Sequence, residues 1–185
     1  MKMRIAGMLL LLALLVGCNA VIVDEPVGPA LTEDLKAEEW TGYWLSNESE
    51  PAKVIVADPK TGRLIVAGID EKGGKPELGQ FNVLARPWDE GWMLTVLDAD
   101  KSTTDPQKFV FVGWMKKDKD RAIIWGADVA KFREWIEAGK LPGKKTGGGD
   151  AQLGRLEPRH LDWITSPPTM LLDWRNPTAL KRLKK

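Results

Sequence analysis

The feature that most constrains the fold is a series of seven short apolar runs between residues 40 and 125. The segments between them, such as Asp58-Pro59-Lys60-Thr61-Gly62, are rich in residues that turn the chain or stay in water. Because no connection is long enough for a crossover helix, the pattern predicts antiparallel pairing. The predicted strands are Trp40–Leu45, Lys53–Ala57, Arg63–Ile69, Gln80–Ala85, Trp92–Leu97, Lys108–Met115 and Arg121–Trp125.

Several of these runs are apolar on both faces, as in Val54-Ile55-Val56 and Phe109-Val110-Phe111-Val112. A sheet with one face in water would carry a polar residue at every second position, so part of the outer face must be covered. Gly68 and Gly113 stand inside strands, where glycine indicates a bend or bulge that lets a sheet curl. The sequence therefore predicts a curled sheet with a cover, which the C-terminal third of the chain would supply.

Helical patterns follow the sheet. Asp128 can cap an amphipathic helix, and Pro158 suits the first turn of a second. A third is expected to begin at Asn176-Pro177 and to carry Leu180 and Leu183. The predicted fold class is mainly β with α: an antiparallel meander or small curled barrel of about seven strands, followed by a short helical C-terminal segment.

The N-terminal stretch has the layout of an export signal. Lys2 and Arg4 precede an uninterrupted apolar segment that ends at Leu15-Val16-Gly17-Cys18. This ending resembles the lipobox of bacterial lipoproteins. The resemblance implies cleavage after Gly17, and diacylglyceryl and acyl chains on Cys18 that anchor the protein durably in a lipid bilayer. An uncleaved signal-anchor helix and a secreted protein without lipid are the alternatives.

The resemblance also sets the expected domain organisation. Residues 1–17 are the signal peptide, residues 18–30 are the lipidated cysteine and a tether, and residues 31–185 are a single β-rich periplasmic domain with C-terminal helices. The tether prediction rests on the two prolines and the glycine within residues 19–30. Thr32 is expected to cap a short helix that leads into the domain. In this class, Asn19 rather than Asp after the lipidated cysteine favours the outer membrane, facing the periplasm.

Composition excludes several classes of function. The chain has 27 basic and 26 acidic residues, so no global charge attracts nucleic acid. Cys18 is the only cysteine and His160 the only histidine, so we expect no disulfide, no metal site and no cofactor. His160 is expected on a helix surface, and the basic tail Lys181–Lys185 in solvent. No Gly-x-Ser-x-Gly or Ser-x-x-Lys motif occurs, and no catalytic residue is predicted.

The segment Trp40-Thr41-Gly42-Tyr43-Trp44 is similar to the Gly-x-Trp opening of the lipocalin group. The resemblance rests on Gly42 and Trp44. It implies that the tryptophan closes the base of an up-and-down barrel that holds an apolar ligand. The alternative is that Trp40 and Trp44 are core aromatic residues of a filled sheet.

These observations favour a non-enzymatic, membrane-anchored lipoprotein of the bacterial envelope. It would bind a small apolar or envelope-derived ligand, or a partner protein, with Trp44, Phe109 and Phe111 as ligand-binding residues. A scaffold or assembly factor without a pocket is the first alternative, and an envelope hydrolase is the second. A cavity lined by Trp and Val with one polar anchor would favour the binder, and a filled interior beside an exposed apolar patch would favour the scaffold.

Overall fold

A computed structural model of the chain describes residues 19–47, 51–72, 75–97 and 109–183. The predicted signal peptide and Cys18 lie outside the described residues. Three α-helices are described: α1 (Ala37–Trp40), α2 (Val129–Glu137) and α3 (Pro158–Ile164), with a 3-10 turn at Pro167–Thr169. The described strands are β1 (Val21–Val23), β2 (Gly42–Ser46), β3 (Pro51–Asp58), β4 (Arg63–Lys72), β5 (Lys75–Trp88), β6 (Gly91–Leu97), β7 (Phe109–Lys117), β8 (Arg121–Gly126), β9 (Gly143–Lys145), β10 (Ala151–Leu153) and β11 (Thr178–Arg182).

Eight strands close into an antiparallel barrel. Strands β2 to β8 follow one another around the ring, and β11 fills the gap between β8 and β2. The predicted mainly β fold and all seven predicted strands are confirmed, with ends that differ by a few residues. Closure removes the free edges that an open sheet would present.

Strand β11 corrects the prediction of a third C-terminal helix after Asn176-Pro177. Its residues alternate, so that Leu180 faces the barrel interior while Lys181 faces out. Leu180 pairs with Ser46 of β2 on one side and with Ala122 of β8 on the other. Two unpaired strand edges therefore impose an extended conformation on a segment whose local sequence indicates a helix.

A bulge in β7 changes which residues face the interior. Leu94 pairs with Gly113 and Thr95 with Phe111, so Val112 has no partner residue on β6. Gly113 has a φ of +153°, and an added Cβ would lie 2.0 Å from the carbonyl oxygen of Trp125. The predicted bulge at Gly113 is confirmed, and beyond it the inward and outward positions of β7 exchange.

The predicted cover over part of the outer face is also present. Helices α2 and α3 pack on the outside of β6 and β7, where the ring of Phe111 meets the ring of Phe132 at 5.9 Å between centroids. Both helices begin where the sequence predicts, because the Asp128 carboxylate accepts a hydrogen bond from the amide of Lys131 and Pro158 opens α3. The buried apolar residues of these strands and helices form an outer core between the barrel wall and the two helices. The outer core explains why β7 is apolar on both faces.

The tether prediction is wrong for residues 20–27. Strand β1 pairs antiparallel with β7 and parallel with β10, so that Val21 lies beside both Phe111 and Ala151. Val23 and Val27 are buried in the same outer core. Burial of the valines stabilises this segment more than its prolines and glycine disfavour an ordered strand, since each buried valine contributes about 1.5–3 kcal/mol.

Candidate functional site: an apolar cavity inside the barrel

The barrel interior contains a cavity of about 110 Å³. Its walls come from the inward positions of the ring strands, where every second residue faces the lumen. Thirteen of the fifteen lining residues are apolar, and the other two are Lys117 and Thr178. The lining residues are Trp40, Trp44, Val54, Leu64, Val66, Val83, Leu94, Val96, Val112, Met115, Lys117, Ala122, Ile124, Thr178 and Leu180.

Helix α1 closes one end of the barrel. The indole Nε1 of Trp44 donates to the carbonyl oxygen of Trp40 at 3.0 Å, which ties the first ring strand to the helix. The ring of Trp40 stands edge-on to that of Trp92, 4.9 Å between centroids. The amide of Leu35 donates a hydrogen bond to the carbonyl oxygen of Pro59 at 3.0 Å, which fixes the segment that precedes the helix. Trp44 is therefore buried at the closed end, where the sequence analysis placed it.

Arg182 fixes α1 from the last strand. Its Nη2 donates to the carbonyl oxygen of Glu38 at 2.7 Å and to that of Thr41. A Cβ added to Gly42 would lie 2.9 Å from Arg182 Nε, so the glycine makes room for the guanidinium. The sequence analysis assigned Arg182 to a solvated tail and missed this role. The sequence did contain a signal for this contact, because nothing in the local segment explains why position 42 is a glycine.

Helix α1 itself is shorter than predicted. It begins at Ala37, and its N-cap residue Lys36 makes no side-chain capping bond, so Thr32 is not the cap. Arg182 does not replace the N-terminal cap, since its guanidinium donates to carbonyl groups near the other end of the helix.

Among the described residues that line the cavity, Lys117 is the only charged one. Its Nζ lies 5.2 Å from the centroid of the Trp40 ring, within range of a cation–π interaction. Burial lowers the pKa of Lys117 below its ordinary value, and nearby Arg182 acts in the same direction. The carboxylates of Glu39 and Asp118 oppose the shift. An otherwise apolar cavity thus has one partly desolvated cation at the α1 end.

Two of the three predicted ligand-binding residues lie outside the lumen. Phe111 is fully buried in the outer core, and Phe109 packs against the same core. The prediction assumed strict alternation from the strand's apolar pattern and placed both rings inside. The bulge at Val112 and Gly113 breaks that alternation, so Val112 and Met115 line the cavity instead.

His160 is buried rather than exposed, contrary to the expectation from sequence. Its Nδ1 accepts a hydrogen bond from the Glu157 amide at 2.9 Å, and its ring lies against Trp163. His160 therefore caps the start of α3. Within the described ranges, no group of three or more His, Cys, Asp or Glu side chains could hold a metal ion.

A larger groove of about 460 Å³ lies outside the barrel, between residues 23–30 and α3. Arg86 lines it, and its Nη1 donates to the Gly28 carbonyl at 3.1 Å. The Nε of Arg86 and the Nε1 of Trp88 are buried there without a hydrogen-bond partner among the described residues. Because both atoms are shielded from solvent, a molecule in the groove would not reach them. The main feature of the groove is the hydrogen bond by which Arg86 fixes the N-terminal segment.

None of the helices in the described ranges is long and apolar enough to cross a bilayer. The resemblance at Gly42 and Trp44 to the lipocalin group stays a prediction. No protein-family model, no curated protein and no solved structure matches this chain.

Proposed function

We propose that this protein binds a small apolar molecule, or one end of a longer chain, inside the barrel and acts without catalysis. The observation that carries the proposal is an apolar cavity left open in a region where side chains could have filled it. Valines and two tryptophans form much of its wall, with Lys117 as the one charged group. This composition is typical of a pocket that selects ligands by shape and low polarity.

The size of the cavity limits the ligand. An engineered apolar cavity of about 150 Å³ holds benzene, and this one measures about 110 Å³. It therefore suits a short alkyl chain of about four or five methylene groups. At about 0.8 kcal/mol for each buried methylene, such a chain gains roughly 3–4 kcal/mol. The corresponding dissociation constant is on the order of 1 mM for the apolar part alone.

Bromine-labelled alcohols test this proposal, because bromine quenches the fluorescence of a tryptophan that it touches. Trp40 and Trp44 line the cavity and report binding directly. Alcohols from 6-bromohexanol to 10-bromodecanol should quench saturably, with affinity that rises until the cavity is full. Val66→Phe should abolish the saturable component because it fills the lumen, whereas Ile65→Phe, on the adjacent outward position, should retain it. Quenching that does not saturate, or that Val66→Phe leaves intact, would contradict a ligand site in the lumen.

We further propose that Cys18 is lipidated and holds the barrel on the periplasmic face of the outer membrane. The lipobox Leu15-Val16-Gly17-Cys18 and Asn19 support this. The Ala20 amide donates a hydrogen bond to the Asp150 carboxylate at 2.8 Å and so fixes the chain to the domain at that residue. One residue separates Cys18 from this contact and spans only about 3.5 Å. A lipid on Cys18 would therefore hold the domain directly against the headgroups.

Two variants test the anchor. Cys18→Ala should leave an uncleaved precursor in the inner membrane, because the peptidase of this class requires the lipidated cysteine. Asn19→Asp should move the mature protein from the outer to the inner membrane fraction. If the mass and location of Cys18→Ala equal those of the wild type, the anchor proposal is wrong.

A scaffold function is the second candidate, and one observation favours it. Ile69 and Leu78 face each other across β4 and β5 with 68% and 75% of their surface exposed. Exposed apolar pairs of this kind mark contact sites for other proteins. If the double variant Ile69→Ser and Leu78→Ser loses an envelope partner in crosslinking while alcohol binding stays unchanged, the scaffold function operates beside the ligand site.

A further inference from the structure

Lys117 is the one cation among the described residues of the cavity wall, and its side chain faces the opposite way from that of its neighbour in sequence. Lys116 faces outward, bonds the Glu90 carboxylate at 3.0 Å, and lies 5.3 Å from the ring of Trp114. Lys117 faces the lumen two positions after Met115 and lies over Trp40. Both lysines stand over a tryptophan ring, but the outer one also has a carboxylate partner.

No carboxylate of the described residues lies within ion-pair distance of Lys117, and no hydrogen bond of its Nζ is described. Three carboxylates, those of Glu39, Asp118 and Asp120, act on Lys117 from beyond ion-pair distance. Glu39 lies 3.8 Å from the Nζ of Lys36. The Oδ1 of Asp118 accepts bonds from the amides of Asp120 and Arg121. An anion position beside Lys117 is therefore open.

A partly desolvated cation at one end of an apolar cavity is unfavourable unless an anion joins it. The same arrangement offers a complete site to a molecule with an apolar chain and an acidic head. We propose, on the basis of the lumen site described above, that the barrel prefers an alkyl carboxylate, whose head pairs with Lys117 beside Trp40. Its chain runs along the valine-lined wall toward Leu180 and Thr178.

The charge preference follows from the cavity wall. Apart from Lys117, only Thr178 contributes a polar side chain to the wall. A neutral alcohol therefore gains apolar contacts but leaves the cation unpaired. A carboxylate of equal chain length gains the same contacts and a charge-assisted hydrogen bond as well, so it should bind at least about tenfold more tightly.

The test compares 6-bromohexanoate with 6-bromohexanol, whose chains match the cavity, by tryptophan quenching of the purified full-length protein at neutral pH. We expect the wild type to prefer the carboxylate by about tenfold or more. In Lys117→Met the carboxylate should bind no more tightly than the alcohol binds to the same variant. Lys117→Gln is a second neutral variant, Lys117→Arg should keep the preference, and the control Lys116→Met should behave as the wild type.

The outcomes separate this inference from the lumen site itself. If the wild type binds both probes equally, or if Lys117→Met and Lys117→Gln keep the carboxylate preference, the role of Lys117 is refuted while the lumen site stands. If neither probe binds the wild type, both proposals fail. Hexyl phosphate, included as a competitor against 6-bromohexanoate, tests the carboxylate assignment. Stronger displacement by the phosphate than by unlabelled hexanoate would refute a carboxylate head.

Discussion

Phe111 and Val112 are adjacent in β7, yet their side chains enter different cores. Phe111 lies in the outer core against Phe132, and Val112 lines the cavity. Truncation of Phe111 to alanine removes a fully buried ring from a packed cluster, so it should cost about 3–5 kcal/mol of unfolding free energy. Val112→Ala removes two methyl-sized groups beside existing empty space and should cost only about 1–2 kcal/mol.

Thermal unfolding followed by circular dichroism measures both variants against the wild type. For a domain of this size, each kcal/mol shifts the melting temperature by about 2–4 °C, so Phe111→Ala should fall by on the order of 10 °C. Binding of 10-bromodecanol should be unchanged in Phe111→Ala and altered in Val112→Ala, which enlarges the cavity. If Phe111→Ala changes probe binding while Val112→Ala does not, the bulge assignment and the division into two cores are wrong.

Three further predictions concern the closed end, a turn and the last strand. Gly42→Ala should lower stability by about 1–3 kcal/mol in urea unfolding, because its methyl group meets the guanidinium that fixes α1, whereas Gly148→Ala, in open space, should be neutral. A side-chain hydrogen bond from Thr61 lowers the pKa of Asp58 below its ordinary value of 3.8, so the stability that it contributes is present above pH 3.8 and lost as pH falls below it. Asp58→Asn should therefore melt lower than the wild type at pH 7, with a difference that disappears in acid. Removal of residues 178–185 should leave two unpaired strand edges and produce aggregates in size-exclusion chromatography.

Seven of the eight barrel strands could be predicted because each apolar run and its turns lie in one local stretch of sequence. The same holds for α2 and α3, because Asp128 and Pro158 stand at their starts. The eighth strand could not be predicted in this way. Its five residues follow an Asn-Pro pair typical of a helix start, and only the edges of β2 and β8 specify its extended form.

The site was predicted in part, for a related reason. Trp44 was correctly placed at the closed end because it precedes any irregularity of its strand. Phe109 and Phe111 were misplaced because the bulge after them reverses which face of β7 turns inward, and the pairing register with β6 is not visible in β7 alone. The roles of Lys117 and Arg182 were missed because both depend on contacts with α1, which lies far from both residues in sequence.

The position of β11 after the other seven barrel strands also governs when the lumen can exist. Until β11 is synthesised, β2 and β8 remain two open edges. A ring that depends on pairing between the two ends of a domain forms slowly and late. Until then the polypeptide has no enclosed interior and no completed barrel to resist unfolding. The order of the strands thus leaves two unpaired edges on the nascent protein until β11 is made, and unpaired edges favour aggregation during folding.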